Sequence, residues 1–205
     1  ENDHESQKPD SSFVATGNLT TLKSFYDAVV PAMETLKKEG KILNWGIGPG
    51  QEEAVCDVIN STTPPEAIQC GVNVLNSLGA IGYASIKPNP KLVLEESKKK
   101  DIPILAIRAV QAGALTSKMD REPHPSGFDH PDFADYEKAQ PFRELAEDWG
   151  ESPASLAHRY ALSIDKVGSV ILGIKNRQEL IECLEAEKKG RLDIEQILTL
   201  ENLFN

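Results

Sequence analysis

The sequence predicts an α/β fold built on a parallel sheet, and three observations carry the prediction. Short apolar, β-rich runs alternate with longer segments whose apolar residues recur at helical spacing. Helix-start signals, Asn or Ser followed by Pro, stand between those runs. The run "DIPILAIRAV" is apolar enough to lie buried on both faces, as a strand flanked by helices does. Strands that alternate with helices pair in parallel through right-handed crossovers.

In chain order, residues 1–18 are polar, lack periodicity and read as a loop or tail. From Leu19 to Lys38 the apolar positions Leu22, Phe25, Val29, Met33 and Leu36 keep helical spacing. Pro31 is expected to kink or split that helix, and Gly40 to cap it. "KILNWGIG" reads as the first strand and "QEEAVCDVIN" as a helix. "EAIQCGVNVLN" is the second strand. "NPKLVLEESKKK" is a helix with Asn89 as N-cap, Pro90 at its first position and lysines at the far end, matching the helix dipole. "DIPILAIRAV" is the third strand. Residues 109–137 form a long Gly/Pro/Asp-rich connection of the kind that shapes a site or stays disordered. Two helices follow, "KAQPFRELAEDWG" and "SPASLAHRYALS", the second opened by Ser152 and Pro153. "VGSVILG" is the fourth strand. Asn176 caps the next helix with Glu179 three residues on, and Asp193 with Gln196 repeats that capping box for the last. There is no fixed-period repeat and no linker that divides the chain.

The 205 residues suffice for one sizeable core, and 40% hydrophobic with 26% charged residues is an ordinary globular balance. A formal net charge of −10 argues against a nucleic-acid or anionic-membrane partner, which clustered Lys and Arg would serve. No apolar run approaches a membrane span, and no signal peptide is visible. Cys56, Cys70 and Cys183 are odd in number and far apart, which reads as free thiols of a reducing, cytoplasmic compartment. "HPSGFDHPDF" gathers His124, Asp129, His130 and Asp132, but its spacing fits no closed zinc pattern and no metal site is read.

Four ordered pieces resemble the C-terminal half of an aldo-keto reductase: "LKKEGKILNWGIG", "IQCGVNVLN", "ILAIRAVQAGALTSK" and "VILGIKNRQELIECLEA". "SPASLAHRYAL" precedes the last, where the family has a similar helix. The third piece is most similar to aldose and galactose dehydrogenases. The family fold is a (β/α)₈ TIM barrel, and the pieces match strands five to eight. The resemblance therefore implies a partial TIM barrel over residues 19–205, a fragment holding the C-terminal half. It implies a parent oxidoreductase that interconverts carbonyl and alcohol with NADP or NAD, on a small carbonyl or sugar substrate. The family's catalytic Asp, Tyr, Lys and His lie on the first four strands, so no residue here is given a catalytic role and the chain alone is expected to be inactive. The other expected partner is the missing N-terminal half-barrel or a second copy.

The same resemblance assigns the nicotinamide dinucleotide to this half. Gln69 matches the residue that bonds the carboxamide, a group that an amide suits as both donor and acceptor. Ile107, Arg108 and Val110 match the segment under the nicotinamide and beside the pyrophosphate. Gly173, Ile174 and Lys175 match the clamp on the adenosine ribose and its 2′-phosphate, and Glu182 the residue that meets the adenine amino group. Lys118 is a further candidate near the phosphates. Several positions depart from the family. Gly48 and Pro49 replace a Ser-Asn pair, Ile107 replaces an aromatic, and Cys183 replaces an Asn. Glu179 stands where Gln or Arg is common, and an acid there would repel a 2′-phosphate. Structural roles stand beside these: Arg108 as half of an ion pair, Glu179 as a capping acid, Lys175 and Arg177 as surface charges, His158 as packing. A non-catalytic, reductase-like regulatory or interaction protein is the alternative function.

Overall fold

The computed structural model describes residues 12–15, 18–84, 88–119 and 131–204. Its centre is a four-stranded parallel sheet of β3 (Gly46–Ile47), β4 (Ala67–Gly71), β5 (Ile104–Ile107) and β6 (Val167–Val170), in that spatial order. Ile47 pairs with Ile68, Gln69 with Leu105, and Leu105 with Ser169, with a register shift beside Ile104. β3 can lie this close to β4 because Gly46 has no side chain: a Cβ there would stand 2.5 Å from the Ala67 carbonyl oxygen. Each crossover carries helix. α3 (Glu52–Ile59) follows β3, and α4 (Pro90–Lys99) follows β4. α5 (Pro131–Lys138), α6 (Gln140–Asp148) and α7 (Pro153–Ser163) lie between β5 and β6, and α8 (Arg177–Lys189) with α9 (Ile194–Asn202) completes the chain.

Several expectations need correction. Residues 12–15 and 18–21 form an antiparallel hairpin, β1 (Ser12–Ala15) with β2 (Asn18–Thr21), where the sequence reads as a polar loop running into a helix. Phe13, Val14 and the Thr20–Thr21 pair supply β-prone residues there. The helix begins at Leu22, where the Thr21 hydroxyl caps the Ser24 N–H at 3.0 Å. It runs through α1 (Leu22–Ser24), a π-helical turn at Phe25–Val29 and α2 (Val30–Lys38). Pro31 stands in the first turn of α2, directly after the π-helical turn, where its missing donor costs least. Asn89 does not cap α4: its side-chain oxygen is taken at 2.7 Å by the amide of Asn76. The long connection after β5 is not irregular throughout, since α5 occupies its last turns.

β5 is not buried on both faces. Ile68, Cys70, Ile104, Ala106 and Val167 pack toward α3, α4 and the α1–α2 helix, with Val55, Val58, Ile59, Phe25 and Trp45. The opposite face carries Gln69, Ile107, Ser169 and Leu105, and Leu105 is 36% exposed. A second core joins Leu115, Phe142, Leu156, Tyr160 and Leu200 on the side of α6, α7 and α9. Among the described residues no helix is long and apolar enough to cross a membrane.

Candidate functional site

Of the predicted site residues, Ile107, Arg108 and Val110 lie at and just after the C-terminal end of β5 and Gly173, Ile174 and Lys175 in the turn after β6, the end at which parallel α/β sheets place their ligands, while Gln69 lies mid-strand in β4 and Glu182 on α8. Gln69 sits within β4 on the open face, half-buried, and its side-chain amide makes no hydrogen bond to the described residues. Gly48 lies above it, so that a Cβ at 48 would stand 3.7 Å from Gln69 Oε1. The crevice between Gln69, Gly50 and Leu78 has a volume of about 10 Å³. That admits one water and no ring.

After β5 the chain turns sharply. Arg108, Gln111 and Ala112 all take positive φ, at 59°, 45° and 53°. Such strain persists only where surroundings hold it, and here they do. Arg108 Nε donates to Gln111 Oε1 at 3.0 Å, and its guanidinium pairs with Asp132, whose side chain is 1% exposed. Asp132 also accepts the Ala80 N–H at 3.1 Å. Gln111, fully buried, donates to Ser77 Oγ at 3.1 Å and to Asp135 Oδ2 at 2.6 Å, and Asn73 donates to the Ser77 carbonyl at 2.8 Å. Gly79, at φ 49°, is wedged into this network, and a Cβ there would overlap the Asp132 carboxylate. The network ties the turns after β4 and β5 to α5. Sequence reasoning foresaw a partner for Arg108 but not which one. The signal was present, since Asp132 and Asp135 share one face of a helix that opens at Pro131. His124, Asp129 and His130 lie outside the described residues, and among those described no cluster of His, Cys, Asp and Glu could hold a metal.

Ile107 is half-buried on the open face opposite Gly71. Val110 packs against the second core, and its carbonyl accepts the N–H groups of Gly113 and Leu115 at 3.0 and 3.1 Å. Lys118 is exposed.

Beyond β6, Ile171 donates its N–H to the Ala106 carbonyl at 2.8 Å, and the chain passes through Gly173 into α8. Gly173 has no positive φ, and a Cβ there would meet nothing within 4 Å. The turn itself therefore does not require glycine. Ile174 is exposed. Asn176 caps α8 by accepting the Glu179 N–H at 3.0 Å, as the sequence predicts. Glu179 in turn accepts the Lys175 N–H at 2.8 Å and the Asn176 amide at 3.0 Å. Glu182 accepts the hydroxyl of Ser152, the cap of α7, instead of standing open. Beside it Cys183 Sγ lies 3.3 Å from His158 Nε2. Burial, and then the charges of Glu182 and Glu179, push the Cys183 thiol above its ordinary pKa.

The sequence profile of the aldo/keto reductase family matches residues 3–204. The chain belongs to the aldo/keto reductase family. Its fold is like that of two solved members. One is the aldo-keto reductase AKR11C1 from Bacillus halodurans in its holo form, with TM-score 0.68 and 19% identity over 90% of this chain and 58% of that one. The other is the glycerol dehydrogenase AKR11B4 from Gluconobacter oxydans, with TM-score 0.64 and 21% identity over 88% of this chain and 54% of that one. The chain thus spans little more than half the length of these two aldo/keto reductases. No curated protein matches the sequence. Of the residues that the family resemblance singles out, Gln69 and Ile107 lie on the sheet's open face, Arg108 beside it, and Gly173, Ile174 and Lys175 in the turn after the neighbouring strand. Arg108 and Glu182 already hold partners within the chain.

Proposed function

We propose that this chain is the dinucleotide-holding part of an NAD(P)-dependent oxidoreductase that interconverts a carbonyl and an alcohol. In this reading it corresponds to the C-terminal half of a (β/α)₈ barrel, on the aldose and galactose dehydrogenase side of the family, acting on a small carbonyl or sugar substrate in the cytoplasm. The observation that carries it is at Gln69. An amide without a partner among the described residues, the third of five residues in β4, faces the open side of a parallel sheet. Gly173 adds to it, as a glycine that neither backbone conformation nor crowding demands.

The residues fit the group. Gln69 would hold the carboxamide, Ile107 would give the nicotinamide an apolar floor, and Val110 would back that turn. Arg108 has donors beyond the two bonds that its side chain makes to described residues, and these would reach the pyrophosphate. Gly173, Ile174 and Lys175 would hold the adenosine ribose, and Glu182 the adenine amino group through the carboxylate that Ser152 orients. When bound, the nicotinamide ring accepts or supplies the hydride. The Asp, Tyr, Lys and His that handle the proton would come from the first four strands of the barrel, outside this chain. The test is a titration of the full-length protein with NADH and NADPH, together with an aldose or aldehyde turnover assay. Binding and turnover by the full-length protein are expected, and binding without chemistry at most by residues 1–205 alone. Aldehyde reduction by the 205-residue chain alone would sink the proposal.

One set of observations favours a second reading, a reductase-like regulatory or interaction protein. Arg108 and Glu182 are engaged internally, and Gly48 and Pro49 offer the carboxamide no side-chain donor. A full-length protein that binds neither dinucleotide and lacks the four catalytic residues upstream decides for the regulator.

A further inference from the structure

We infer that Cys183 is a modification site: with His158 as its base, it exchanges with small cationic disulfides. The inference stands apart from the cofactor reading above. α7 and α8 pack side by side, and between them the half-buried Cys183 thiol faces a buried imidazole. His158 is 8% exposed, and its Nε2 lies 3.3 Å from Cys183 Sγ. Its other nitrogen, Nδ1, is buried without a partner among the described residues. Core packing alone gives no reason to leave that nitrogen unsatisfied. A ring with one nitrogen aimed at a partly open thiol is placed to move a proton.

The three thiols of the chain meet different surroundings. Cys70 lies in the core, and burial pushes it up to about 12. Cys56 is half-buried, and burial with the charges of Glu96, Glu53, Asp57 and Glu52 pushes it up to about 11. Burial, then Glu182 and Glu179, raise Cys183 as well. None of the three ionises readily at neutral pH, so the thiol that reacts is the one with a base beside it. His158 is the one histidine among the described residues, and burial keeps its ring neutral. The charges that bear on the pair are those of Glu182 and Glu179 on α8. β6, which also packs on α7, carries no titratable side chain, and among the described residues no charge of α6 bears on either group.

The Sγ–H proton passes to Nε2, and Glu182, whose carboxylate also accepts the Ser152 hydroxyl, favours the imidazolium that forms. The thiolate attacks one sulfur of the disulfide. A new S–S bond forms as the old one breaks, and the departing sulfur takes the proton from Nε2. Cys183 is oxidised to a mixed disulfide, and the other half of the reagent leaves as a reduced thiol. Charge selects the reagent. Glu179 and Glu187 stand one helical turn to either side of Cys183, with Glu182 adjacent. Lys189, further along, is drawn to Glu151 at 3.3 Å. Acids on both sides repel an anionic disulfide and favour one that carries ammonium groups.

Labelling of the full-length protein by cystamine and by oxidised glutathione, mapped by peptide mass spectrometry, tests this. Cystamine is expected to modify Cys183 before Cys56 and Cys70, and about tenfold faster than the anionic glutathione disulfide does. Dithiothreitol should release the label. Between about pH 7 and pH 8.5 the Cys183 rate should stay nearly level, because its base is already free, while the Cys56 rate climbs about tenfold per pH unit with its thiolate. His158→Gln should slow Cys183 about tenfold or more at pH 7 and give it the steep profile of Cys56. Earlier labelling of Cys56 or Cys70 in the wild type overturns the inference, and that order needs no variant to fold. An unchanged rate and profile in His158→Gln overturns the role of His158. Faster labelling by oxidised glutathione overturns the cationic class.

Discussion

At the scale of single residues, Gly79 and Gly173 separate what the fold needs from what a ligand would need. Gly79 is glycine because the Arg108–Asp132 network leaves no room for a side chain. Gly173 has no such reason, since its backbone is ordinary and the space around it open. Gly173→Ala should therefore leave thermal stability unchanged or raise it by about 0.4–1 kcal/mol through the unfolded chain. The same change should weaken dinucleotide binding by the full-length protein about tenfold, because a methyl group would stand where the ligand approaches. Melting curves and titrations on the one variant check both halves. A loss of stability without a loss of affinity would make Gly173 a structural glycine after all.

At the scale of elements, α7 and α8 meet through a half-polar seam. His158 on α7 is 8% exposed, faces Cys183 on α8, and has a buried Nδ1 without a partner among the described residues. Burial pushes its pKa below the ordinary 6.5, against the smaller upward pull of Glu182. The folded protein thus resists the proton that the unfolded chain accepts. The contribution is complete above about pH 6.5 and is lost as the pH falls through the lower, folded-state value. Melting temperature should fall on going from about pH 7.5 to about pH 5, and His158→Gln should flatten that part of the profile. A slope that the variant leaves untouched would assign the acid sensitivity to other groups.

The same elements show how far local sequence signals reach. The caps at Ser152, Asn176 and Asp193 were legible because donor and acceptor lie three residues apart. Asn89 carries the same signal and fails, because Asn76, thirteen residues upstream, takes its side-chain oxygen. The four strands were legible from their apolar runs. The exposure of Leu105 was not, since an apolar run does not say whether one face or both are covered. For the site, the sequence places Gln69 at the end of its strand, but it is the third of the five residues of β4, whereas Gly173 lies in the turn after β6. The sequence could not show that Asp132, twenty-four residues beyond Arg108, would answer that charge, or that Glu182 would answer Ser152.

For the whole molecule, the open sheet face is the dominant fact. Leu105, Ile171, Leu172 and Ile174 remain partly in water, as do Leu180 and Leu184 on α8 and Ile194 and Leu198 on α9. β3 and β6 end the sheet, each with one edge unpaired among the described strands. At roughly 25 cal/mol per Å² of apolar surface removed from water, covering this face is favourable. Residues 1–205 alone should self-associate in sedimentation velocity, and, on the proposed half-barrel reading, should become monodisperse when a first half-barrel is supplied. A monodisperse monomer that melts cooperatively would contradict this.

The network around Arg108 has a further consequence. On one side Thr116 donates to the Gly113 carbonyl at 2.8 Å, and Arg143 donates to the Ala114 carbonyl at 3.1 Å. On the other, Asp132 and Asp135 hold α5 to the turns after β4 and β5. Tyr136 joins the two sides through its hydroxyl to the Ser117 carbonyl at 3.2 Å. The stretch between them thus starts and ends on anchored points. Doubling the length of such a stretch costs only about 0.6 kcal/mol of closure entropy. With both ends held in this way, an insertion between them should lower the melting temperature only slightly.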